Sequence, residues 1–193
     1  MKIRAAILAL AAGGIVSSAQ AALTFTNISV TGPLAGTPVI TTGAFDIDVA
    51  FSANSATIGD VTGQFGTSEI VITYDASSNA GPIDASVLSL LGAAVGSGSV
   101  SVHTVVTPLP SGATAADNTL AYNAVTPPPT SANLSWLAGL TNFHVVQTIV
   151  LSAFNGEIVD FAQLGLVEHR FIPAPGALAL LGLGGLAAAR RRR

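Results

Sequence analysis

The stretch Phe45-Asp46-Ile47-Asp48-Val49-Ala50-Phe51 alternates apolar and polar residues with a period of two, which puts 45, 47, 49 and 51 on one face. That period fits a strand with one buried side and does not fit a helix. The same spacing returns in Glu69 to Tyr74, with Ile70, Ile72 and Tyr74 inward, and in Ser99 to Thr107, with Val100, Val102 and Val106 inward. Leu120, Tyr122 and Ala124 mark a shorter strand, and Phe143 to Ala153 is a long run rich in β-branched residues. The Asn155-Gly156 pair that follows favours a tight hairpin into Ile158 to Phe161. Val167, His169 and Phe171 then align on a last strand. Pro127-Pro128-Pro129 reads as a rigid connector closing a loop-like stretch from Leu109. Asp84 to Ala94 and Ser131 to Leu140 read as short helices. Seven to nine strands separated by turn residues predict an all-β body over residues 22–170, an antiparallel β-sandwich or jelly roll.

Cysteine is absent, so such a body holds together by packing alone, and about 150 residues are enough for one core. The formal charge of −3 conceals a segregation. Lys2 and Arg4 open the chain and Arg190, Arg191, Arg192 and Arg193 close it; between them a single Arg170 faces all ten acids, a net of −9. A body with one cation has no means of neutralising phosphates, which excludes nucleic acid as a partner.

The first 21 residues have the order of a secretory signal peptide. Lys2 and Arg4 form the positive start, Ala5 to Val16 the short apolar stretch, and Ser17-Ser18-Ala19-Gln20-Ala21 the small-residue exit. Cleavage is expected before Ala22, with the secretion translocon and signal peptidase as partners. No Cys follows the exit, which excludes a lipoprotein anchor.

The other end is apolar but short. Gly176 to Ala189 is 14 residues, about 21 Å as a helix, against a hydrocarbon core of about 30 Å. Pro173 and Pro175 place the helix start near Pro175. Gly182, Gly184 and Gly185 lower helix propensity by about 1 kcal/mol each relative to Ala. Arg190 to Arg193 hold the far end on the cytoplasmic side, leaving Pro173 outward.

Taken in order, Pro173-Ala174-Pro175, the run from Gly176, and the terminal Arg cluster resemble the PEP-CTERM sorting signal, with Ala174 where that family carries Glu. The resemblance covers residues 171–193. It implies a Gram-negative-type bacterium, recognition and processing by an exosortase-type membrane enzyme, and an association with extracellular polysaccharide and biofilm matrix. No L-P-x-T-G is present, and Gly184-Gly185 falls inside the apolar run instead of before it.

Chemistry-bearing patterns are sparse in the body. Gly96-Ser97-Gly98-Ser99 has the wrong order for a nucleophile elbow. His103, His144 and His169 stand singly on strands, without the spacing of a zinc site. No catalytic set, metal or cofactor is expected. Asp46 and Asp48 share a strand face, with Asp60 and Asp75 as further oxygen donors, and are the calcium candidates, although solvated carboxylates are the default there. Trp136, Tyr122 and Tyr74 are the residues able to stack on sugar rings, with core burial the competing reading for Trp136 between Leu134 and Leu137. The expectation is an exported, non-catalytic surface or matrix protein that passes transiently through the inner membrane. A secreted carbohydrate-binding module acting on exopolysaccharide and a secreted hydrolase are the alternatives.

Overall fold

The computed structural model describes residues 22–174 except 54, 80, 111, 157 and 158. The expected signal peptide, Pro175, the apolar run and the Arg cluster lie outside the described residues.

The described residues form eleven strands: β1 (Leu23–Thr31), β2 (Val39–Thr42), β3 (Asp46–Ala50), β4 (Thr57–Gly59), β5 (Gly66–Ser78), β6 (Ile83–Val95), β7 (Ser99–Pro108), β8 (Ala116–Asn123), β9 (Thr130–Leu140), β10 (Asn142–Ala153) and β11 (Phe161–Pro173). They form two antiparallel sheets. The first has the order β1-β5-β10-β7-β8, and the second β2-β3-β11-β6-β9, with β4 also pairing β11. The two inner faces pack into one core, as the alternation predicts. Ile70, Ile72 and Tyr74 of β5, Val100, Val102 and Val106 of β7, and Val167, His169 and Phe171 of β11 are all buried.

Both expected helices are strands. Asp84 to Ala94 belongs to β6, where Ser86, Leu88 and Leu90 are buried in alternation, and Ser131 to Leu140 belongs to β9 beside it. Their Ala, Leu and Ser content favours helix weakly. For β6, a ladder to β11 on one side and β9 on the other overrides a preference of a few tenths of a kcal/mol per residue.

The hairpin expected at Asn155-Gly156 is also corrected. β10 lies in the first sheet and β11 in the second, so this loop crosses the sandwich. The buried Asp160 carboxylate accepts from the backbone N–H groups of Ser97 and Gly156 and holds the wider turn. β8 contains the short strand expected at Leu120 and Tyr122 but begins at Ala116, inside the stretch from Leu109 that reads as loop-like, and ends at Asn123, before Ala124; β11 runs to Pro173, past the body boundary expected at Arg170.

β11 meets β4 along Phe161–Gln163 and β3 along Leu166–Arg170, and an irregularity at Gly165 makes the change of partner. The extra residue shifts the inward set from Ala162 and Leu164 to Val167, His169 and Phe171. The displaced Gly165 carbonyl accepts from Phe51 N–H at 2.9 Å, where β3 ends.

Near the other end of the core, Tyr122 of β8 reaches across the sandwich and donates its hydroxyl to the Gln163 carbonyl of β11. The contact needs a glycine on β6, because a Cβ at Gly92 would overlap both the Tyr122 hydroxyl and the Gln163 carbonyl oxygen. Gly92→Ala is therefore expected to destabilise by about 1–3 kcal/mol, and Tyr122→Phe by about 1 kcal/mol. Urea unfolding measures both, and a neutral Gly92→Ala would contradict the close approach.

Candidate functional site

The three histidines have different surroundings. His169 is enclosed in the core. Tyr74 donates its hydroxyl to Nδ1 at 2.5 Å, and the Gln147 carboxamide donates to the same nitrogen at 3.3 Å. With Nδ1 accepting from two donors, Nε2 carries the proton and donates to Ser86 Oγ at 2.7 Å. Phe171 packs on the imidazole with centroids 4.4 Å apart, and Phe25 and Phe143 close the aromatic cluster around Phe171. Burial pushes the His169 pKa down to about 3 and raises that of Tyr74. This histidine holds the two sheets together and has no face open to a substrate.

His144 and His103 lie on the outer face of the first sheet. His144 Nδ1 meets Asp75 Oδ1 at 2.6 Å, its direct cross-strand partner. Asn27, with φ of 53° at an irregularity in β1, turns its amide onto Asp75 Oδ2 at 2.6 Å. The Asn27 amide, then His144, hold the Asp75 carboxyl below the usual carboxylate range. His103 Nε2 meets Asp117 Oδ1 at 2.5 Å, diagonally across β7 and β8.

The four aspartates considered for calcium do not converge. Asp75 is on the outside of the first sheet, whereas Asp46 and Asp48 are on the outside of the second. Asp60 accepts from Asp160 N–H at 2.6 Å, in the loop region at the end of the sandwich. Asp48 faces Glu168 across the β3–β11 ladder, and burial, then the Asp46 charge, raise its pKa. Among the described residues no group of three or more His, Asp or Glu is placed to hold a metal ion.

Of the stacking candidates, Tyr74 and Tyr122 are fully buried and unavailable to a sugar ring. Their position in the alternation makes them inward; Tyr74 was legible as such in the sequence. Trp136 falls on β9, and its side chain lies outside the described part. Phe154 and Phe65 are exposed instead.

Two of the surface depressions formed by described residues bear on these positions. One, of about 440 Å³, lies where the body leads into the tail and is lined by Phe45, Val87, Arg170, Phe171, Ile172 and Pro173. Pro173 still pairs with Ile83, Ala174 N–H donates to the Pro82 carbonyl at 2.9 Å, and Phe171 N–H donates to the Phe45 carbonyl at 2.7 Å. The first two residues of the proline motif are thus held by the fold. The second, of about 360 Å³, lies between β8 and β9 and is lined by Ala115 to Asn118 and Asn133 to Ser135. Its lining comes from segments that read in sequence as loop and helix, so no pattern announced it.

No family model matches this chain, and no curated protein matches it. Among solved structures, TmCBM61 in complex with β-1,4-galactotriose aligns over 77% of this chain and 90% of its own, at 6% identity and a TM-score of 0.36. A structure of carbohydrate-binding modules from the β-sandwich superfamily, described as promiscuous in specificity, aligns over 78% of this chain and 54% of its own, at 8% identity and a TM-score of 0.33. The enzymatically active domain of tailspike protein 4 from bacteriophage CBA120 aligns over 79% of this chain and 19% of its own, at 11% identity and a TM-score of 0.30. Likeness at this level carries no ligand or activity over to this chain.

The His169 site makes a pH prediction. Its folded pKa of about 3 lies below the ordinary 6.5, so between these values the unfolded chain binds a proton that the folded chain refuses. Stability from this group is complete above about pH 6.5 and falls as pH decreases, by up to about 1.4 kcal/mol per unit. The lowered Asp75 acts in the same direction at lower pH, and the raised Asp48 in the opposite one. Urea unfolding between about pH 7 and pH 4.5 is expected to show this slope, and His169→Gln to flatten it. An unchanged slope in His169→Gln would place the acid sensitivity elsewhere.

Proposed function

We propose that this chain is an exported, non-catalytic surface or matrix protein of a Gram-negative-type bacterium, sorted through its C-terminal tail by an exosortase-type membrane enzyme. The observation that supports the reading is the continuity of β11 with the proline motif, since Pro173 ends the strand and Ala174 is bonded to Pro82. Gly176 is three residues on from Pro173, with Ala174 and Pro175 between them, a reach of about 10 Å. While the apolar run is held in the inner membrane by Arg190 to Arg193, the sandwich rests just outside the outer leaflet with the motif at the boundary. A folded body so close to the membrane is presented for release without a spacer.

The non-catalytic reading draws on the histidines and acids: His169 is locked in the core, and His144 and His103 each lie against an aspartate on a strand face. Extracellular polysaccharide is the partner that a surface or matrix location offers.

Cell fractionation of a host that carries such a sorting enzyme tests the proposal. The wild-type chain is expected at the surface or in the medium without its tail. Replacing Arg190 to Arg193 with Gln, or deleting residues 175–193, is expected to abolish surface delivery. Variants that distribute like the wild type would sink the sorting reading, and a wild-type chain that keeps its tail in the membrane would be a plain anchored protein.

A further inference from the structure

β2 ends the second sheet with β3 as its neighbour on one side, and all four of its residues are exposed. The phase of its ladder follows from the turn that joins it to β3. Gly43 N–H donates to the Asp46 carbonyl at 2.9 Å, which makes 43 and 46 a hydrogen-bonded pair. Two and four residues back, Thr41 with Asp48 and Val39 with Ala50 are then hydrogen-bonded pairs as well. The far side of β3 has the matching phase: Phe51 N–H donates to the Gly165 carbonyl, and the Phe45 carbonyl accepts from Phe171 N–H. The N–H and C=O groups of Ile40 and Thr42 therefore point away from β3, and no described residue takes them up.

The other edges are guarded. The β1 ladder breaks between Thr26 and Ser29, where Asn27 has φ of 53°. β8 and β9 lie against each other along the other side of the sandwich. β2 has no such device: Val39-Ile40-Thr41-Thr42 carries no charge, and its β-branched residues suit a strand. It is also complementary to itself. Two copies set antiparallel about a two-fold axis at Thr41 bring Ile40 opposite Thr42 of the other copy, twice over. Their outward groups then make four backbone hydrogen bonds, and Val39 lies opposite a Gly43 with no side chain to resist it. Such a contact closes at two copies. Asp48 shares the row of Thr41, so the two Asp48 side chains are three strand spacings apart, about 14 Å. That exceeds the screening length of about 8 Å at physiological ionic strength.

We propose that two copies of this chain pair through the β2 edge, residues 39–43, in an antiparallel dimer that joins their second sheets into one continuous sheet. The inference rests on the body alone and not on the sorting reading. A contact of so few residues is far below the roughly 20–30 a side of a stable interface. The dimer is therefore weak, with a dissociation constant of about 0.1–1 mM, and forms where copies are concentrated.

The chain has no cysteine, so Thr41→Cys is a clean probe. Across the axis Thr41 meets its own copy as a non-hydrogen-bonded pair, with Cα atoms about 4.5 Å apart, within reach of a disulfide. Under mild oxidation of the mature protein near the expected dissociation constant, Thr41→Cys is expected to form a covalent dimer about tenfold faster than Val125→Cys. Val125, 90% exposed, reports random collision. Adding Ile40→Pro removes an outward N–H without breaking a bond to β3 and is expected to lower the rate to that of Val125→Cys. Thr42→Lys, which keeps the backbone and puts a charge on the edge, is expected to do the same. Thermal unfolding like the parent's shows an intact fold in each variant. Equal rates for Thr41→Cys and Val125→Cys, or a rate that neither added substitution lowers, would overturn the proposal. A mixed disulfide with another protein in place of the dimer, when host envelope extract is present, would overturn it too and give the edge to a different strand.

Discussion

His169 lies where the two sheets must agree with each other. Tyr74 and Gln147 approach its Nδ1 from the first sheet, and Ser86, from the second sheet like His169 itself, accepts from its Nε2. Removing the imidazole leaves three buried polar groups short of a partner, each at about 1–3 kcal/mol. The arrangement also fixes register. A slip of one residue in β11 would turn Val167, His169 and Phe171 outward together and leave Tyr74 and Gln147 facing the wrong side chains. In a core without disulfides, this network and the aromatic rings of Phe25, Phe143 and Phe171 specify which pairing the strands adopt.

The same strand carries the consequence outward. β11 is central in its sheet, changes partner at Gly165, buries Phe171 and then ends at the proline motif. Because the backbone of Phe171 is bonded to Phe45 and that of Ala174 to Pro82, order in the body extends into the motif itself. The stability of the core and the position of the boundary between body and tail are therefore two readings of one strand.

Period-two alternation made β3, β5, β7 and β11 legible, since each has one face in the core and one in water, and a long β-branched run marked β10. It failed for β6 and β9, whose Ala, Leu and Ser residues also suit a helix and whose strand form depends on neighbours far away in sequence. It gave no warning of β1, where Asn27 breaks the pattern to reach Asp75. Asn155-Gly156 was misleading because turn propensity says nothing about whether the next strand joins the same sheet. Asp75 lies on the outer face of one sheet and Asp46 and Asp48 on that of the other, which only sheet order decides. The β8–β9 cleft joins residues 115–118 to 133–135, two segments with no signal in common, so its polar lining emerges only once the edges of the sheets are placed side by side.

The most direct check of the account is the intact mass of the mature protein from a host that sorts it. A chain that starts at Ala22, ends at or just beyond Ala174 and lacks Arg190 to Arg193 is the expected product. A mass that retains Arg190 to Arg193, or a C-terminus inside β11 before Phe171, would contradict the claim that folded body and sorting tail meet at the end of that strand.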